Sequence, residues 1–151
     1  AIREAKQTSS FDVPVGSAIL KDGVIIGAAH NQKEELKDVT GHAEIIAIRE
    51  AQRKLGTWRL SDCIMYVTLE PCPMCAWAII SSGINKIYFG SYNTQCGALG
   101  TVMDLRTIAN SKLEVYGGIK EEKSETEFTF PHFPPIVFLS IPIYLSYGST
   151  L

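Results

Sequence analysis

The stretch Ile64–Ser82, IMYVTLEPCPMCAWAIISS, changes character twice within a few turns of chain. Ile64–Leu69 is β-branched, aromatic and apolar, which suits a buried strand. Pro73 to about Ser82 reads as a short apolar helix, stopped by Gly83. Between them stands Glu70-Pro71-Cys72-Pro73-Met74-Cys75. Proline suits the first helical position, where its missing N–H would have had no partner anyway. Cys72 then caps the helix, and Cys75, three residues on, shares its face. Two sulfurs at the positive end of a helix favour the thiolate form that binds metal.

Upstream, Pro14 opens the apolar run VGSAIL, which passes through Lys21-Asp22-Gly23 into VIIGAAH. Two apolar runs flanking Asp-Gly predict a β-hairpin. Residues 31–41 are polar and rich in turn formers, and are expected to form a loop. From His42 the period changes, with Ile45, Ile46, Ile48 and Ala51 at helical spacing up to Leu55, and Gly56 as the stop. Downstream, Lys86–Gly90 reads as a strand, followed by a glycine-rich loop through Gly100. A short helix near Asp104–Ile108 and a strand at Leu113–Tyr116 follow. Residues 1–8 read as a helical stub with Ile2 and Ala5 on one side, too short to stand without packing. Strands alternating with helices predict an α/β fold, a central sheet with helices on its faces.

The bulk numbers exclude little. A chain of 151 residues fits one compact domain. Its formal charge of −2 gives no general attraction for nucleic acid, so an RNA partner would need a local basic patch. Ahead of the four cysteines, Cys63, Cys72, Cys75 and Cys96, residues 1–8 do not read as a secretory leader, so secretion is not expected. Reduced thiols in a cytoplasmic protein are therefore expected, and a close pair then points to metal or redox chemistry. The C-terminal part differs: residues 120–127 are charged, and FTFPHFPPIVFLSIPIYLSYGSTL fills 128–151. Its apolar run from Ile136 to Tyr147 is too short to cross a bilayer and is broken by Pro142, so no membrane partner is expected.

The second chemical segment is Gly41-His42-Ala43-Glu44. A catalytic zinc takes three protein ligands and keeps its fourth position for water. His42, Cys72 and Cys75 supply such a set. Glu44, two residues from His42, points to another side of a regular helix, which suits a carboxylate that is not a ligand. Spacing alone does not bring it over the metal. A lone C-x-x-C could instead be a redox pair, or half of a structural site of four cysteines. The latter would need Cys63 and Cys96, which stand singly, and a redox motif has no need of His-x-Glu. Together the two segments match the H-x-E…P-C-x-x-C pattern of zinc deaminases. In that chemistry Zn2+ acidifies its water and Glu44 carries protons to the ring and to the leaving amine.

The chain resembles the cytidine-deaminase-like superfamily, and most closely its tRNA-specific adenosine deaminases. The residues that carry the resemblance are Val13–Leu20, His30-Asn31, Gly41–Ile48, Arg59–Ile79, Ile84–Gly90 and Cys96–Leu105. The resemblance implies a three-layer α/β/α fold around a mixed five-stranded sheet, and a homodimer. It implies hydrolytic deamination of adenosine to inosine at the wobble position of a tRNA anticodon loop. Asn31 matches a position that hydrogen-bonds the target base. Val67, Leu69 and Phe89 are implied at the pocket, with core packing as their default duty. Asn93 stands where bacterial members commonly carry Asp, at a contact to the substrate's sugar and backbone. Gly41 replaces a usual Ala, Ser82-Gly83 lacks a usual Arg, and the family's amphipathic C-terminal helix is not evident after Lys120. On this reading residues 1–127 form the deaminase domain and 128–151 an atypical apolar tail. Two other readings are a deaminase of a free base or nucleoside, such as cytosine or guanine, and a catalytically silent RNA-binding member of the fold.

Overall fold

A computed structural model of the protein describes residues 1–119. The readings of 120–127 and of the tail at 128–151 lie outside them. A short helix, α1 (Ile2–Ala5), precedes the hairpin of β1 (Gly16–Lys21) and β2 (Val24–His30). Asp22 and Gly23 take left-handed φ values of 50° and 76°, as the two-residue turn between twisted strands requires. The pairing is antiparallel with a register shift at Ile19/Leu20.

The predicted loop at 31–41 contains one helical turn, α2 (Lys33–Leu36), ended by Lys37 in the left-handed region. Its cause is remote: both carboxylate oxygens of the buried Asp12 accept the Glu34 N–H, at 3.1 and 3.2 Å. A partner 22 residues upstream leaves no mark in the local sequence. Next come α3 (Ala43–Leu55), β3 (Cys63–Leu69), α4 (Pro73–Ser82), β4 (Lys86–Ser91), α5 (Leu105–Ala109) and β5 (Glu114–Tyr116). Gly56 and Gly83 close α3 and α4 in left-handed conformations, at φ 67° and 80°, a conformation that glycine adopts without a Cβ penalty.

The strands lie in the order β2-β1-β3-β4-β5. β1 is antiparallel to both its neighbours, whereas β3, β4 and β5 run parallel. The result is the expected mixed five-stranded sheet. Two glycines fix its faces. A Cβ at Gly16 would collide with the Ala1 carbonyl oxygen, and one at Gly27 would collide with that of Ala47. Gly27 pairs with Ile19, an odd number of residues from Gly16, so α1 and α3 cover opposite faces. The layers are helix, sheet, helix. Ile19, Met65, Ile87, Ala47, Ala76 and Ile79 meet in the core between the sheet and the α3–α4 layer. On the other face Tyr66, Tyr88 and Tyr116 stack across three strands, with ring centroids 5.1 and 4.9 Å apart.

Candidate metal centre and active site

β2, β3 and β4 share one direction, so their C-terminal ends gather at one edge of the sheet. That is the end at which open α/β sheets collect ligands. The chain leaving β2 reaches Asn31 and then His42, which occupies the N-cap of α3 in extended conformation. The His42 ring makes no capping bond. Asn31 caps the helix instead: its Oδ1 accepts the Ala43 N–H at 2.9 Å, while its Nδ2 donates to the Val13 carbonyl at 2.9 Å. The imidazole is thereby left to face the cavity. At the end of β3, Cys72 caps α4 and Pro73 takes its first turn, as the local sequence dictates.

These two helix starts bring three donors together. His42 Nδ1 lies 3.8 Å from Cys72 Sγ and 3.5 Å from Cys75 Sγ, and all three ligand atoms fall within 4.8 Å of one another. A tetrahedral zinc with bonds of about 2.3 Å to sulfur and about 2.05 Å to nitrogen sets such atoms about 3.6 Å apart. The donor set and its spacing therefore fit zinc. Cys63 is buried within the core and Cys96 lies outside this group, which removes the four-thiolate arrangement among the described residues.

The protons of this cluster are strongly perturbed. The Cys72 thiol is pulled down to about 4, chiefly by a hydrogen bond from Cys75, and Cys75 is driven up by the same bond and by burial. One proton thus leaves the pair readily, and a bound cation would displace the other. His42 is raised, first by its hydrogen bond with Cys72. Glu44, 4% exposed, is pushed up to about 7 by burial. A carboxyl titrating there both accepts and returns a proton near neutral pH.

A cavity of about 280 Å3 opens over these groups, bordered by Asn31, His42, Glu44, Leu69, Cys72 and Asn93. Val67 and Phe89 are placed elsewhere. They sit at inward positions of β3 and β4, 3% and 2% exposed, in the hydrophobic core. Position along the strand explains this: Val67 shares a face with Leu69 but lies two residues further in, paired with Phe89, and the cavity reaches only the strand end. Asn93 borders it, but its carboxamide is largely committed: Oδ1 accepts the N–H groups of Gln95 and Cys96, and Nδ2 donates to Cys96 Sγ.

Sequence reasoning assigned nothing to Glu70, Phe11 or Lys33, all of which border the cavity. Glu70 is 1% exposed. Its carboxylate accepts N–H groups from Asn93 at 3.2 Å, Leu99 at 3.1 Å and Thr101 at 3.1 Å, with the Thr101 hydroxyl as a fourth donor. Gly97 packs so closely that a Cβ there would collide with the same carboxylate. The residue two before Cys72 thus fixes the far wall of the cavity. Its partners lie 23 to 31 residues downstream, so no local pattern reports them.

Residues 1–91 match the family model of the cytidine and deoxycytidylate deaminase zinc-binding region, and the chain belongs to that family of zinc-dependent enzymes. Its relatives sharpen the class. The tRNA-specific adenosine deaminase of Bacillus subtilis is 43% identical over 126 residues, covering 82% of this chain and 78% of that protein. The tRNA-specific adenosine deaminase of Aquifex aeolicus is 48% identical over 106 residues, 70% of each chain. Among solved structures, one from work on A-to-I editing by tRNA:A34 deaminases at the wobble position superposes with a TM-score of 0.76. It is 37% identical and covers 84% of this chain and 94% of its own. A guanine deaminase from Bacillus subtilis, at 38% identity, reaches 0.59 over 62% of this chain and 61% of its own.

Proposed function

We propose that this protein hydrolyses the 6-amino group of adenosine to give inosine at the wobble position of a tRNA anticodon loop. The carrying observation is the convergence of His42, Cys72 and Cys75 at zinc spacing beside a buried Glu44. The likeness to tRNA-specific adenosine deaminases over most of both chains supports the choice of base and of RNA. In this reading His42, Cys72 and Cys75 hold Zn2+, which supplies a water acidified towards neutrality as the nucleophile. Glu44 takes a proton from the attacking water and passes it to the ring nitrogen. As the tetrahedral carbon collapses to a carbonyl, Glu44 takes the proton of the added hydroxyl and delivers it to the departing amine, so water adds and ammonia leaves. Asn31 positions the base with the amide N–H that its bond to Val13 leaves over. Leu69 and Asn93 complete the walls. A base in an anticodon loop is already unpaired, so bringing it into the cavity costs less than extrusion from a duplex.

The same reading makes the deaminase unit residues 1–127, with 128–151 appended, and places it in the cytoplasm as a homodimer. Four free cysteines suit a reducing compartment. Among the described residues no helix is long and apolar enough to cross a membrane. Trp77 on α4, 48% exposed, offers an apolar anchor for a second copy; light scattering that finds only monomer at micromolar protein removes the dimer.

The test is inosine formation at the wobble adenosine of an anticodon stem-loop by zinc-loaded protein. Glu44→Ala is expected to keep its zinc and lose turnover by about 10²–10⁴-fold. Wild-type protein that leaves the stem-loop unchanged but converts a free base or nucleoside would move the substrate to that smaller class. Zinc content with no turnover on any base would leave a silent binding member of the fold.

A further inference from the structure

The cavity over Glu44 and His42 measures about 280 Å3, close to the lower limit of small-ligand sites. It takes one base, and the rest of a longer substrate must cross its rim. On that rim stands Phe11, 84% exposed. A ring left in water is ordinary on a mobile surface loop, but this loop is tied down on the C-terminal side of the ring. The buried Asp12 accepts the Glu34 N–H with both oxygens, at 3.1 and 3.2 Å, and its own N–H donates to the Ser9 carbonyl at 3.1 Å. The Val13 carbonyl accepts the Asn31 amide at 2.9 Å. The backbone next to Phe11 is thus held through the same Asn31 that caps α3, and the ring's face is bare. Lys33 borders the same cavity; its side chain is about half exposed, and among the described residues its ammonium pairs with the exposed Glu34 carboxylate at 3.4 Å.

A bare ring and a cation beside a base-sized hole form the combination that binds single-stranded nucleic acid: a π surface for a neighbouring base and a charge for its phosphate. We propose that Phe11 is the stacking platform for the nucleotide next to the inserted adenine, and that Lys33 meets the adjoining phosphate. The proposal rests on the RNA reading above. It also gives a chain with a net charge of −2 a local means of preferring an RNA loop to a free base, which has no neighbouring nucleotide to stack.

The experiment uses the zinc-loaded full chain and anticodon stem-loops carrying 2-aminopurine at the 5′ or the 3′ neighbour of the wobble adenosine, because stacking quenches that base. Wild-type protein and Phe11→Tyr should quench one of the two probes. Phe11→Leu should lose the quenching and weaken Kd about tenfold, the size expected for one lost base–aromatic stack. In turnover the same variant should raise KM and leave kcat within about twofold. Lys33→Ala should lower the slope of log K against log salt by about one. Unchanged Kd and unchanged quenching in Phe11→Leu would overturn the stacking role. Phe11-dependent quenching without inosine formation would overturn the deamination reading and leave the stacking, whereas inosine formation with Phe11-independent binding would do the reverse. No binding of the stem-loop at all would remove both.

Discussion

Two buried carboxylates flank the same thiols and are treated in opposite ways. Glu44 has few donors, and burial pushes its carboxyl up to about 7. Glu70 has four donors aimed at it, the arrangement that makes a buried anion tolerable. The first can exchange protons; the second holds a loop. Replacing Glu70 with Gln would turn an amide NH2 towards N–H groups that need an acceptor. Glu70→Gln should cost about 2–3 kcal/mol, seen as a lower urea midpoint at unchanged slope. Zinc stoichiometry should stay the same while KM rises, because Asn93 and Cys96 lose their footing. An unchanged midpoint would mean that the loop from 93 to 101 is held by something else. At this scale the cluster of donors was legible, because Pro73 and the C-x-x-C spacing act within one helical turn. The pocket walls were less so: Val67 and Phe89 lie two residues short of the strand ends that meet the cavity, a depth that a family likeness does not resolve.

Elements were legible where their causes are local. The Asp22-Gly23 hairpin, the Gly56 and Gly83 stops and the β3–α4 junction all follow from residues within a turn of the feature. α2 was not, because its N–H partner is Asp12. α5 lies between these cases: Asp104 caps it, accepting the Arg106 N–H at 3.0 Å, and also grips the Arg106 guanidinium. The guanidinium hydrogen bonds first, and the capping bond after them, hold the Asp104 carboxyl below its ordinary value of 3.8. The native state then binds fewer protons than the unfolded chain in that range. Its stabilisation is complete above about 3.8 and fades as pH falls through the lower, native value. Asp104→Ala should therefore cost about 1 kcal/mol at neutral pH, and the gap between variant and wild type should narrow in denaturation curves taken at progressively lower pH. A gap that stays constant down to pH values below the carboxylate range would exclude the charged cap.

Across the whole molecule the proposed metal centre joins parts that the sheet alone does not join. His42 opens α3, which packs on β1 and β2, while Cys72 and Cys75 open α4. An ion bound by all three ties those helix starts to each other and stabilises only the folded chain. With free zinc about a thousandfold above its Kd the gain is about 4 kcal/mol. Dialysis against a strong chelator should lower Tm by on the order of 10 °C, with recovery on adding zinc back. Cys75→Ser should show a low Tm that the chelator barely moves; a chelator-insensitive wild type would separate stability from the metal.

The placing of Glu70 also bears on how the chain is made. Synthesis runs from the N-terminus, and by Ser91 a ribosome has delivered His42, Glu44, both thiols and four of the five strands. The Glu70 carboxylate is by then among them, but the groups that satisfy it reside at Asn93, Leu99 and Thr101. A nascent chain paused at Ser91 carries every group of the proposed metal centre and a Glu70 carboxylate whose hydrogen-bond donors are still to come. The ten residues from Tyr92 to Thr101 are thus what turns an assembled set of reactive side chains into a closed compartment, and they arrive after the chemistry they enclose.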